Sequence, residues 1–178
     1  MAKGLPRSHK NANKAIAPIV KDVIVVKDKT VTLTEDAGGQ PAWATLVVGD
    51  FPQGNVLFLG AASYFAFAGS GSDADLADTW EGDYGVGTTP STDDTTPLAT
   101  TFEDIIATVA ILAATAEVSP RTRSVSVDGE AGVMYDNTDG SLELNLNILV
   151  DAADITGDDS VLTIDGELYI SYVVLGND

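Results

Sequence analysis

The sequence has no cysteine and only one histidine, and each absence excludes a class of chemistry. Without cysteine, the chain can form neither a disulfide framework nor a thiolate nucleophile. The single imidazole, His9, lies in an N-terminal segment without hydrophobic periodicity, so neither a Ser-His-Asp triad nor a zinc site is expected. The sequence also lacks GxxxxGK(S/T) and GxGxxG phosphate-binding loops. We therefore expect that the protein is not an enzyme and needs no cofactor.

Long apolar runs are missing as well. The two most apolar windows, residues 56–68 and 105–116, are too short or too interrupted by small residues to span a membrane. The basic N-terminus is not followed by the apolar segment of a signal peptide before Asp22. We therefore expect no membrane partner.

Positive charge is scarce and unevenly placed. The chain has nine Lys and Arg residues against 27 Asp and Glu, a formal net charge of −18. Residues 1–21 contain five of the nine basic residues and no acidic residue, so residues 22–178 carry a net charge of −23. We predict an extended basic arm, residues 1–21, attached to a single acidic domain, residues 22–178. Such a domain repels nucleic acid, and its acidic surface would also suit high salt.

The predicted arm is the candidate binding segment. Pro6, Pro18 and scattered Lys and Asn residues give it little periodicity, so it is either a disordered terminus or an arm that reaches a neighbouring subunit. In the second case its basic residues and apolar anchors would make the contacts. These candidate residues are Lys3, Arg7, Lys10, Lys14, Ile16, Ile19 and Lys21.

The clearest structural signal is alternation in two C-terminal segments, residues 141–150 and 161–175. In the first, apolar residues at every even position from 142 to 150 alternate with Glu143, Asn145 and Asn147. In the second, apolar residues recur at every second position and Gly166 fills one gap. Since strand side chains point to opposite faces in turn, each segment is predicted to be a strand with one buried and one mostly solvated face.

The rest of the chain adds shorter strand signals and one helix signal. We predict strands at residues 23–26, 30–34, 42–48, 79–88 and 121–128, and one bent strand or two strands at 56–68. Thr100 and Glu103 match a capping box, and the apolar residues that follow fit helical spacing, which predicts a helix of roughly three turns. Many strands with at most one short helix predict a mainly β protein, a β-sandwich or jelly-roll-like domain.

Two groups of residues are candidates for ligand binding. Hard oxygen ligands for calcium could come from Asp73, Asp75 and Asp78, or from Asp154, Asp158 and Asp159, although a solvated acidic loop explains them more simply. Five aromatic residues could form a sugar-binding platform, although aromatic residues on alternating strands usually belong to the core. They are Trp43, Tyr64, Phe65, Phe67 and Trp80.

Two stretches carry a resemblance to a known family. The segment TWEGDYGVGTT, which begins at Thr79, and SLELNLNILV…LTIDGELYISYVVLG within residues 141–176 resemble decoration, or cement, proteins of tailed-bacteriophage heads. The resemblance implies a β-rich structural protein, made in the host cytoplasm and located on the outer surface of the virion. It implies as partners the major capsid protein of an HK97-type shell and further copies of the chain in a homotrimer, with contacts that stabilise the head across capsomer boundaries. The alternatives are a carbohydrate- or calcium-binding β-sandwich module and a surface-layer or pilus subunit.

Overall fold

The computed structural model describes residues 18–35, 39–69, 75–92, 98–125, 131–157 and 160–176. Several residues singled out from the sequence lie outside these ranges. They are Lys3, Arg7, Lys10, Lys14 and Ile16 of the predicted arm, and Asp73, Asp158 and Asp159 of the acidic segments.

The described residues form two antiparallel sheets. The strands are β1 (Ile19–Thr32), β2 (Ala42–Asp50), β3 (Gly54–Ala68), β4 (Gly82–Gly87), β5 (Ile106–Ile111), β6 (Thr122–Val125), β7 (Met134–Asn137), β8 (Glu143–Val150) and β9 (Val161–Val174). Sheet A has the order β1-β9-β3-β6, with β7 also paired to β3, and sheet B has the order β2-β8-β4-β5. The predicted mainly β architecture is confirmed as a β-sandwich.

The core lies between the inner faces of the two sheets. The apolar positions of β8 and β9 predicted from alternation are buried there, and β9 contributes Leu162, Ile164, Leu168 and Ile170. Burying each such side chain contributes about 1.5–3 kcal/mol relative to exposure. From sheet B, the Tyr84 ring packs against Phe65 and Phe67 of sheet A, with ring centroids 5.9 Å and 5.5 Å apart. The core thus joins the two sheets mainly through aliphatic and aromatic contact.

A β-bulge explains why residues 56–68 do not alternate in sequence. The pairing of β3 with β9 shifts between Phe58 and Gly60. Before the bulge the buried residues are Val56 and Phe58, and after it they are at odd positions, including Phe65. The extra residue moves the inward face by one position, so a single bent strand keeps its apolar side chains in the core.

The first strand is longer than predicted. The two strands predicted at residues 23–26 and 30–34 are one strand, β1, with a bulge between Val26 and Lys29 where Asp28 has φ of 49°. It begins at Ile19, so Ile19 and Lys21 belong to sheet A rather than to an extended arm. Antiparallel pairing with β9, in which Lys21 lies opposite Ser171, supplies hydrogen bonds that this segment could not make alone.

The predicted helix after Thr100 is wrong. The chain forms a 3-10 turn at Thr100–Phe102 without a side-chain cap, and then strand β5 paired to β4. The Glu103 carboxylate accepts hydrogen bonds from the backbone and hydroxyl of Thr108 instead of capping a helix. Because the following residues are largely β-branched, they suit the sheet pairing better than a helix. Across the described residues, none of the helical structure is long and apolar enough to cross a membrane.

Candidate functional site

The outer face of sheet B is covered over part of its area by residues 88–92 and 98–104, which follow β4 and which we call the covering segment. Asn147 of β8 holds this cover in place. Its amide Nδ2 donates to the carbonyl oxygens of Thr89 (2.9 Å) and Phe102 (2.8 Å). Its Oδ1 accepts from the Ser91 backbone N–H and the Thr45 hydroxyl, both at 2.8 Å. Three of these four hydrogen bonds fasten the covering segment to the sheet, and the fourth joins Asn147 to Thr45 of β2.

Glycines of β4 allow the covering segment to lie directly on the sheet. A Cβ at Gly87 would stand 2.2 Å from the carbonyl oxygen of Thr101, and one at Gly85 would stand 3.0 Å from the Cβ of Glu103. A glycine within a strand often marks a place where another part of the backbone approaches closely, so these two outward-facing glycines could have indicated from the sequence that this surface is covered.

The cover overturns the expectation that the polar face of β8 is mostly solvated. Asn145 and Asn147 are both fully buried. Neither the Nδ2 nor the Oδ1 of Asn145 has a hydrogen-bond partner within the described part of the protein, in contrast to Asn147. Strand alternation correctly separated the two faces, but it could not show that the outer face would be covered.

The outer face of sheet A is open and partly apolar. Adjacent strands align Val23, Tyr169 and Ala62 in one row, and Val25, Glu167 and Tyr64 in the next. Val25 is 65% exposed, Tyr169 44% and Tyr64 40%. Large exposed apolar and aromatic side chains clustered on one sheet face are typical of an interaction surface.

Two of the cavities on this face meet at Glu167. One of about 470 Å³ is lined by Ala62, Ser63, Tyr64, Arg123, Glu167 and Tyr169. The other, of about 180 Å³, is lined by Val25, Val26, Lys27, Arg121, Asp165, Gly166 and Glu167. Because both cavities include Glu167, we treat them together as the sheet A groove.

The groove gathers positive charge in an otherwise acidic domain. Residues 22–178 contain four basic residues, and Lys27, Arg121 and Arg123 line the groove. The fourth, Lys29, lies two residues further along β1. The guanidinium carbon of Arg121 lies 5.2 Å from the centre of the Tyr64 ring, within range of a cation–π interaction. Sequence reasoning missed this cluster because its members are far apart along the chain.

The two carboxylates of the groove have partners of their own. The Tyr169 hydroxyl donates a hydrogen bond to Glu167, and this bond is the main cause that raises the pKa of Tyr169. Asp165 accepts a hydrogen bond from the Asp28 backbone N–H at 3.2 Å. Both carboxylates are thus tied to neighbouring groups, while the basic side chains and aromatic rings line the open space.

The described end of the predicted arm lies on the same face. Ile19, which is 60% exposed, stands opposite Val173, and Lys21 stands opposite Ser171. They belong to β1, an edge strand of sheet A. Two of the seven candidate binding residues are therefore placed beside the open face.

The structure brings the two predicted acidic segments side by side. The backbone N–H of Thr156 donates to the carbonyl oxygen of Asp75, and that of Ala77 donates to the carbonyl oxygen of Asp154, at 2.9 Å and 2.8 Å. The Asp154 carboxylate accepts the backbone N–H of Glu81 at 2.8 Å. Asp78 is exposed, and the described residues contain no group of three His, Cys, Asp or Glu side chains arranged to hold a metal.

The aromatic residues do not form a sugar-binding platform. Phe65, Phe67 and Trp80 are buried in the core, which confirms the core interpretation for these three. The Trp80 indole N–H donates to the carbonyl oxygen of Glu117 at 3.0 Å. Trp43 is half-buried on sheet B, so Tyr64 in the groove is separated from it by the thickness of the sandwich.

Comparisons with known proteins found distant structural similarity. No protein-family model matches the sequence, and no curated protein matches it. One similar chain comes from a structure of infectious bursal disease virus Gx strain, with 12% identity and a TM-score of 0.39, and the match covers 90% of this chain and 33% of that one. Another comes from the infectious bursal disease virus VP2 subviral particle, with 10% identity, a TM-score of 0.25, and coverage of 88% and 41%. The chain therefore spans less than half the length of the chains that it matches.

Proposed function

We propose that the protein is a structural component of a virus particle, a decoration or cement protein on the outer surface of a tailed-phage head. In this proposal it binds the major capsid protein, assembles as a homotrimer and stabilises the shell across capsomer boundaries. The observation that carries the proposal is the open outer face of sheet A, where exposed apolar, aromatic and basic side chains lie together on an acidic domain.

The open face fits attachment to a protein surface better than binding of a small molecule. Tyr64, Tyr169 and Val25 offer broad, shallow apolar contact, and Arg121 and Arg123 can orient an acidic partner. Small-molecule sites are usually enclosed, whereas protein interfaces combine aromatic and Arg residues on a wide surface. Ile19 and Lys21 extend this surface along β1 toward the N-terminal basic residues. Charge complementarity of this kind sets orientation and association rate more than affinity.

The test is binding to shells assembled from the major capsid protein encoded in the same genome. We expect the full chain to co-sediment with expanded shells and to raise the temperature at which they dissociate. Deletion of residues 1–17, which leaves β1 intact, should weaken binding at least about tenfold because four basic side chains are lost. Absence of binding by the full chain would contradict the proposal. Unchanged binding by the truncated chain would remove the arm from it.

A surface-layer or pilus-type subunit is the second candidate, favoured by the exposed edge strand β1. Its first eight residues include Ile19, Val23 and Val25, all exposed, and an edge strand of this kind can pair with another chain. Negative-stain imaging of the protein with and without shells distinguishes the two candidates. Decorated shells support the first one, and a filament or lattice that leaves the shells bare supports the second.

A further inference from the structure

We propose that the sheet A groove of one copy binds the acidic end of sheet B of a second copy, so that chains associate head to tail. The inference goes beyond the proposed function, because it names the two faces through which copies of this chain meet. A second copy and a shell would compete for this groove, so association between copies is measured on the protein alone.

The acidic end of sheet B is a second partly apolar surface. Trp43, Leu149 and Asp83 lie side by side on β2, β8 and β4. Glu81 precedes β4 and Asp151 follows β8, and the Asp151 backbone N–H donates to the Glu81 carbonyl oxygen at 3.1 Å. The covering segment approaches the sheet closely at Gly85 and Gly87. At the other end, Glu81 and Asp151 are exposed, and Trp43, Asp83 and Leu149 are half-buried. We call these five residues the acidic ledge: Trp43, Glu81, Asp83, Leu149 and Asp151.

A cationic partner would stabilise the ionised carboxylates of the ledge. Burial, and then the nearby charge of Asp151, raise the pKa of Asp83. The raised pKa means that the ionised form of Asp83 is disfavoured in the folded protein. A guanidinium brought against Asp83 and Asp151 would offset both causes, since it supplies hydrogen bonds and opposite charge.

The groove has the matching composition. Arg121, Arg123 and Lys27 face solvent beside Tyr64, while no other part of residues 22–178 has basic side chains except Lys29. Tyr64 and Val25 would meet Trp43 and Leu149, so apolar contact accompanies the charge pairs. The two surfaces therefore agree in charge sign and in apolar character.

The two surfaces lie on opposite sides of the sandwich, so they cannot meet within one chain. Contact between different patches on two copies is heterologous, and it gives a ring if the rotation closes and a filament if it does not. A contact that spans four strands about 4.8 Å apart and six residues at about 3.3 Å each would bury roughly 400 Å² of surface per copy. This is below the standard interface size of about 800 Å² per partner, so we expect weak, concentration-dependent association that salt reduces.

The experiment uses charge reversal of either surface in the full chain. One variant combines Arg121→Glu and Arg123→Glu in the groove, and the other combines Asp83→Lys and Asp151→Lys in the ledge. Sedimentation velocity in low salt should show concentration-dependent association of the natural chain, lost at about 1 M salt, where the Debye length is about 3 Å. Each variant alone should associate at least about tenfold more weakly, and an equimolar mixture should restore association, because each reversed surface finds its complement.

The control reverses two acidic residues at the other end of sheet B. Asp50 and Glu143 are exposed and pair across β2 and β8, so Asp50→Lys with Glu143→Lys changes net charge equally without touching the ledge. This control should associate like the natural chain. A natural chain that stays monomeric at about 0.5 mM in low salt would overturn the inference, because even a small interface should give a detectable associated species at that concentration. Variants that associate normally, or a mixture that fails to restore association, would also overturn it. Shell binding is measured separately with the ledge variant, which leaves unchanged the sheet A face that is proposed to attach to the shell.

Discussion

Asn145 and Asn147 form a matched pair, because both amides are fully buried on the same face of β8 but only that of Asn147 has hydrogen-bond partners among the described residues. Replacing Asn147 with Leu removes four hydrogen bonds of 2.8–2.9 Å. At a net value of about 1 kcal/mol each, their loss costs about 4 kcal/mol. Burial of the larger apolar side chain offsets part of this, so we expect a net loss of about 3 kcal/mol in the free energy of unfolding.

The same substitution at Asn145 should have the opposite sign. The described part of the chain offers the Asn145 amide no hydrogen bond to lose, and the desolvation penalty of about 1–3 kcal/mol for an unsatisfied buried amide disappears. We expect Asn145→Leu to be neutral or to stabilise the fold by about 1 kcal/mol. Any cost of fitting the larger side chain under the covering segment is shared by both variants, so it largely cancels in their difference.

Urea denaturation measured by tryptophan fluorescence provides the comparison, since Trp80 is buried in the core and Trp43 is half-buried. The two variants should differ by about 3–4 kcal/mol in the extrapolated free energy of unfolding, with similar dependence on urea concentration. Equal destabilisation by both substitutions would refute the reasoning. It would mean that packing, and not hydrogen bonding by Asn147, holds the covering segment in place.

Two further predictions concern the same sheet. Gly87→Ala should lower the free energy of unfolding by about 1–3 kcal/mol, because the added Cβ would stand 2.2 Å from the Thr101 carbonyl oxygen, and thermal denaturation will measure it. Asp83→Asn should stabilise the protein at neutral pH. Burial raises the folded pKa of Asp83 above the ordinary value of 3.8, so ionisation of this carboxyl destabilises the fold as the pH rises above 3.8. The natural chain should therefore gain stability relative to Asp83→Asn when the pH is lowered to about 4. Parallel pH dependence of the two melting temperatures would contradict this.

Some expectations failed where two physical effects competed. The capping-box pattern at Thr100 and Glu103 competes with β-branched residues that follow, and the backbone hydrogen bonds offered by β4 favour the strand. At residues 56–68 the sequence left one bent strand and two strands open, because a single inserted residue near Gly60 reverses the alternation, and the structure has one bent strand. Local patterns describe what a segment can do alone, whereas the partner strand decides between the options.

The order of apolar and polar residues was enough to predict a β-sandwich, because alternation follows from strand geometry and each apolar face needs a partner to exclude water. Composition likewise showed an acidic domain with few basic residues. Only the tertiary structure showed that Asn147 is buried, that Ile19 belongs to a sheet, and that Lys27 shares a groove with Arg121 and Arg123. Each depends on which distant segments pair or cover one another, and such contacts between residues far apart in the chain leave no periodic signal in either segment.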